Sequence, residues 1–105
     1  MITVTLNRKA DTLSLYVTGH AGYASPGQDI VCAAVSALVY TLAQNLALTL
    51  CDEDYTAQLE DGDAYIEARP PAELAASCQR IFMVIVNGLN LLANQYDQYV
   101  WFEAE

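Results

Sequence analysis

The segment Ile30–Cys51 reads IVCAAVSALVYTLAQNLALTLC, and none of its residues carries a charge. An apolar stretch of this length either spans a membrane or forms a helix in a protein core. Polar side chains at Ser36, Gln44 and Asn45 interrupt it, and acidic residues flank it without any Lys or Arg to set an orientation in a membrane. The sequence therefore predicts no membrane segment but a helix buried against a sheet, with its outer face against another element or another subunit.

Alternating apolar residues predict two strand pairs, one on each side of this helix. Positions 2–6 and 13–17 alternate apolar and polar side chains, which predicts an antiparallel hairpin with one buried face. Positions 55–59 and 64–68 flank Asp61-Gly62, a dipeptide suited to a type I′ turn. These two segments predict a second hairpin.

A second long helix is predicted after Pro70-Pro71, where apolar residues recur in steps of three and four. We expect this helix to end near Gln95. Positions 98–103 then have the composition of a strand. The order of elements predicts one α+β domain over residues 1–105, built from two strand-strand-helix units plus a C-terminal strand, with a mostly antiparallel sheet and two long helices.

Charge and composition restrict the possible partners. The 105 residues include 13 acidic and 4 basic side chains, which gives a net charge of −9 at pH 7. Four cations cannot easily supply the basic face that binds phosphates, so we expect no direct nucleic-acid partner and favour a basic partner. Only 16% of the residues are charged, so part of the surface must be apolar. Such a surface favours a homodimer.

The N-terminal residues and the cysteines indicate the cytoplasm. The segment Met1–Leu6 has no basic region followed by an apolar run, so no secretory signal is visible. Cys32, Cys51 and Cys78 have neither paired nor metal-type spacing, which favours reduced thiols over a disulfide framework or a metal site. We interpret Cys51 and Cys78 as structural residues, and we expect no cofactor.

The segment from Gly19 to Asp29, GHAGYASPGQD, contains three of the five glycines and the only histidine. Asp29 is suited to be the N-cap of the following helix, which places Cys32 at the third helical position. Backbone N–H groups and the helix dipole favour a thiolate there. If the loop folds back over the helix start, His20 can reach Cys32 and act as its general base. The free N–H groups of the helix start, together with those of the glycine loop, can bind an oxyanion.

Spacing alone leaves other interpretations open. Cys32 is also typical of a small core residue, and His20 of a surface or capping residue. Asp29 either caps the helix only or also orients His20. Ser36, one turn beyond Cys32, either bonds near the sulfur or bonds back to its own helix. The acidic turn around Asp61 is most simply a solvated hairpin end.

Three groups of residues together resemble the signature of the ribosomal-processing cysteine protease family, Prp: Gly19-His20-Ala21, Tyr23-Ala24 with Gly27, and Asp29–Ser36. The resemblance implies a small cytoplasmic bacterial endopeptidase. Its implied partner is a ribosomal protein precursor, the large-subunit protein number twenty-seven, from which it removes an N-terminal extension. The resemblance also implies a dimer, with Cys32 as nucleophile, His20 as base, and Gly19, Asp29 and Ser36 in supporting roles.

The resemblance further implies that the loop between His20 and Asp29 shifts to admit the peptide. Glycine-rich loops rearrange at low energetic cost, which agrees with such gating. The gating residues are then Ala21, Gly22, Tyr23, Ala24 and Gly27. A second hypothesis, from a different functional class, is a non-catalytic dimeric adaptor that binds a basic ribosomal protein through its acidic surface.

Overall fold

The computed structural model describes residues 1–105 and contains five strands and two long helices. The strands are β1 (Ile2–Lys9), β2 (Thr12–Thr18), β3 (Tyr55–Glu60), β4 (Asp63–Ala68) and β5 (Val100–Ala104). The helices are α1 (Ile30–Thr49) and α2 (Ala75–Gln95), and a short 3₁₀ turn over Ala72–Leu74 precedes α2. The strands form one sheet in the order β3-β4-β2-β1-β5.

The pairing of the strands confirms the α+β prediction of a mostly antiparallel sheet. The pairs β1–β2, β2–β4 and β3–β4 are antiparallel. The C-terminal strand β5 pairs with β1 in parallel, so the sheet is mixed at one edge. A parallel pair needs a long crossover connection, which the chain between the two strands provides.

Both helices cover the same side of the sheet. Alternate residues of β1 are buried, as a strand with one buried face requires. The buried residues of α1 recur in steps that keep them on one helix face: Val31, Val35, Val39, Leu42, Ala43 and Leu46. Both helices are long and apolar enough to cross a membrane, but core helices of soluble proteins meet the same criterion. In this fold each helix buries one face in the core formed with the sheet.

The turn between β3 and β4 differs from the predicted type. Glu60 pairs with Asp63, so Asp61-Gly62 is a two-residue turn as expected. Only Gly62 has a positive φ, of 73°, whereas a type I′ turn requires positive φ at both central residues. Of the two turn residues only Gly62 adopts the left-handed conformation, because glycine does so without steric cost.

Candidate active site

Asp29 joins the start of α1 to the loop that precedes it. One carboxylate oxygen, Oδ1, accepts hydrogen bonds from the backbone N–H groups of Val31 and Cys32, each at 3.0 Å. The other, Oδ2, accepts from the N–H groups of Tyr23 at 3.0 Å and Ala24 at 3.3 Å. The predicted N-cap is therefore confirmed, and the same side chain also holds the loop. It makes no hydrogen bond to His20.

These bonds favour the charged form of Asp29. The N–H of Cys32 contributes most to lowering the pKa of the Asp29 carboxyl, and the N–H groups of Ala24 and Tyr23 lower it further against an opposing effect of desolvation. One part of the oxyanion expectation, the part that concerns the helix start, is wrong as a result. The N–H groups of Val31 and Cys32 are not free to bind an oxyanion, because the cap already occupies them.

Substitution of Asp29 separates its two roles. In Asp29→Asn the amide oxygen still accepts from the helix N–H groups, but its NH₂ group faces the donors of Tyr23 and Ala24. We expect faster amide exchange at these two loop residues and a lower midpoint of urea unfolding, with a larger loss of stability in Asp29→Ala. Equal losses in the two variants would contradict the dual role.

The same substitution has a pH dependence whose sign follows from the pKa. Because the folded state lowers the pKa of Asp29, the unfolded chain binds that proton more readily, and stability rises with pH through this range. The contribution of Asp29 is complete above its ordinary pKa and is lost as the pH falls through the lowered value. We therefore expect the stability advantage of the wild-type protein over Asp29→Asn to shrink at acidic pH, measured by urea unfolding.

The loop folds back over the start of α1, which is the condition under which His20 was expected to reach Cys32. The backbone N–H of Ala21 donates a hydrogen bond to the sulfur of Cys32, with an N–S distance of 3.3 Å. Ala21 is buried and Cys32 is half-buried. Gly22, with φ of 69°, lets the chain turn immediately after this contact. The sulfur is therefore covered by one backbone amide.

The structure brings His20, Cys32 and Ser36 together. All three line a small cavity of about 60 Å³ and an adjoining groove of about 770 Å³. His20 is exposed and makes no hydrogen bond to Cys32. Ser36 makes no side-chain hydrogen bond within the protein, so neither of its predicted bonds is present. Gly19 lies on the small cavity, and a Cβ at this position would approach the carbonyl oxygen of Met1 to 2.3 Å.

The residues expected to form the gating loop have different positions. Gly22, Ala24 and Gly27 line the groove, together with Asp29. Tyr23 does not, and its ring instead packs edge-to-face against Tyr96 and Tyr99, at centroid distances of 5.9 and 5.2 Å. Such aromatic pairs are attractive, so Tyr23 ties the loop to the C-terminal end of α2.

Sequence reasoning missed the contribution of the β3–β4 turn. Asp61 lines both the cavity and the groove beside His20, and Gly62 lines the cavity. The turn is therefore part of the site as well as a hairpin end. No local pattern indicates this, because it depends on the pairing of β2 with β4, in which Thr18 lies opposite Asp63.

Comparison with known proteins identifies the family. A sequence model of the family described as cysteine protease Prp matches residues 1–101. The chain belongs to the Prp family of cysteine proteases. The ribosomal processing cysteine protease Prp of Bacillus subtilis (strain 168) is 31% identical over 91 residues, which cover 85% of this chain and 80% of that protein. The Prp of Mycoplasma pneumoniae is 33% identical over 89 residues, covering 85% and 84%.

Solved structures show the same fold. Staphylococcus aureus Prp in complex with a covalently linked product peptide superposes with a TM-score of 0.81 at 24% identity, with full coverage of both chains. A structure from Streptococcus mutans has a TM-score of 0.73 at 31% identity and covers 99% of this chain and 93% of that one. Membership of the Prp family makes the chain a cysteine protease and decides against the adaptor hypothesis.

Proposed function

We propose that this protein is a cytoplasmic endopeptidase that removes the N-terminal extension from the precursor of the large-subunit ribosomal protein number twenty-seven. Cys32 is its nucleophile and His20 its general base. The observation that carries the proposal is that these two side chains line one cavity at the start of α1. The relatives are named ribosomal processing proteases, and the Staphylococcus aureus Prp was solved with a substrate peptide, both of which support a precursor as the substrate.

The reaction proceeds in two halves. His20 takes the proton from the Cys32 sulfur, and the thiolate attacks the carbonyl carbon of the scissile peptide bond to form a tetrahedral intermediate. When this collapses, the C–N bond breaks, His20 returns the proton to the leaving amine, and a thioester remains on Cys32. His20 then takes a proton from water, whose oxygen attacks the thioester carbon to form a second tetrahedral intermediate. When this collapses, the C–S bond breaks, His20 returns the proton to the Cys32 sulfur, and the carboxylic acid is released.

The Ala21 amide is the donor that we assign to the oxyanion. The N–H groups of the first helical turn at Val31 and Cys32 bond to Asp29, whereas the N–H of Ala21 lies 3.3 Å from the sulfur. A carbonyl oxygen that enters with the substrate can replace the sulfur as the acceptor of this N–H. A small shift of the loop is then enough to turn a bond that covers the nucleophile into one that stabilises the intermediate.

The groove and the charge of the protein agree with a basic protein substrate. The groove of about 770 Å³ is lined by loop residues together with Cys32 and His20, so it offers room for a peptide segment beside the nucleophile. The net charge of −9 raises the encounter rate with a basic ribosomal protein.

We also propose that the protein is a homodimer. Exposed apolar side chains on both helices support this: Leu48, Val84 and Leu91 are 75%, 60% and 68% exposed. Analytical sedimentation measures the oligomeric state.

Incubation with the full-length precursor from the same organism tests the substrate and the reaction together. We expect one cut and a product that lacks the extension, identified by mass spectrometry of its new N-terminus. A precursor made without the extension is the matched control and stays uncut. Binding that weakens with salt but leaves the precursor intact would overturn the proposal.

A further inference from the structure

The imidazole of His20 lies against the β3–β4 turn, in the space that a side chain at Gly62 would need. A Cβ built on Gly62 would be 2.6 Å from Nε2, 3.0 Å from Cε1 and 3.3 Å from Cδ2 of His20. These distances are below ordinary van der Waals contact, so the ring and any side chain at position 62 exclude each other. The atoms concerned form the outer edge of the ring, including one of its two nitrogens.

The backbone holds the same two segments together. The N–H of Gly19 donates a hydrogen bond to the carbonyl oxygen of Gly62 at 2.9 Å. Gly19 immediately precedes His20, and Thr18 and Asp63 are paired across β2 and β4. The turn is therefore fixed to the main chain that carries His20 and is in contact with its side chain.

We propose that Gly62 is a positioning residue for the protease reaction, because its lack of a side chain lets the turn support the His20 imidazole at the edge of the cavity that contains Cys32. This inference rests on the proposed role of His20 as general base. Gly62 touches no reacting atom in it and acts only through the ring. The turn is thus a third part of the catalytic apparatus, beside the loop and the start of α1.

Two substitutions at Gly62 separate the loss of ring position from backbone strain. Gly62 has φ of 73°, which strains alanine but is tolerated by asparagine. Gly62→Ala and Gly62→Asn carry the same Cβ, so both displace the ring, whereas Gly62→Asn retains more stability. Val86→Ala changes a buried residue of α2 away from the site. It is the control for a loss of stability without displacement of the ring.

Since His20 is the only histidine, its imidazole gives one isolated set of NMR signals. We expect both Gly62 variants to shift these signals, and Val86→Ala to leave them in place. For cleavage of a peptide that spans the extension junction, we expect kcat to fall about 10- to 100-fold in both Gly62 variants, with KM changed less than about threefold, as for loss of a positioned general base. Unshifted signals, or an unchanged kcat, would overturn the inference.

A double-substitution cycle distinguishes the failure of this inference from failure of the proposed function. The readout is the rate at which iodoacetamide alkylates Cys32, resolved by mass spectrometry, in the wild-type protein, His20→Ala, Gly62→Ala and the double variant. If Gly62 acts through His20, Gly62→Ala by itself slows the alkylation of Cys32, but it causes no further slowing when His20→Ala is already present. An equal slowing in both backgrounds would overturn the role of Gly62 and leave His20 as base. A wild-type rate in His20→Ala would overturn the base itself.

Discussion

The Cys32→Ala variant is expected to lose cleavage of the precursor by a factor of about 10⁴ or more, because no other group can form the thioester. The fold should survive the change. Cys32 is only half-buried, and its sulfur accepts a hydrogen bond from just one backbone N–H, that of Ala21. The measurement is the initial rate of product formation, with the unfolding midpoint recorded in parallel. Cys32→Ser, which keeps an acceptor for Ala21, is expected to be almost as inactive, because an alcohol is the weaker nucleophile.

The other two cysteines provide matched controls for this experiment. Cys51 is exposed and lies outside both the cavity and the groove, so Cys51→Ala should cut the precursor at the wild-type rate. Cys78 is fully buried in α2, and its burial raises the pKa of its thiol, so it should resist alkylation. Wild-type cleavage by Cys32→Ala, or loss of cleavage in Cys51→Ala, would show that the nucleophile has been wrongly assigned.

Local patterns were sufficient to predict most elements of the fold. Strict alternation in β1 and β2, and apolar steps of three and four in α2, are signals that a few neighbouring residues carry by themselves. The parallel pairing of β5 with β1 carries no such signal. It depends on α2 returning the chain to the edge of the sheet, which is a property of the whole fold.

The same distinction between local and long-range signals applies to the residues of the candidate site. The cap at Asp29 and the position of Cys32 follow from residues three apart, and both were predictable. The oxyanion prediction failed for the helix start, because a side chain that caps a helix also occupies its free N–H groups. Its other part, a donor from the glycine loop, stays a prediction. The contact of His20 with Gly62 joins residues far apart in sequence, through a sheet order that the composition does not encode.

Removal of the His20 imidazole should slow cleavage by about 10²- to 10⁴-fold, the usual contribution of a general base. His20 is exposed, so we expect the unfolding midpoint of His20→Ala to change little. The KM for a peptide spanning the extension junction should change little as well, because the groove is formed mainly by the loop and α1. The loss should therefore be in kcat, and steady-state kinetics of this peptide measures it directly.

Added imidazole makes the assignment specific to proton transfer. In His20→Ala the space above the Gly62 backbone is vacated, since neither residue then carries a side chain that fills it. We expect free imidazole to enter this space and restore part of kcat in His20→Ala. It should restore nothing in Cys32→Ala, where the base has no nucleophile to activate. Equal effects of imidazole on both variants, or a wild-type kcat in His20→Ala without it, would exclude His20 as the base, because either result would show that cleavage does not depend on a proton acceptor at this position.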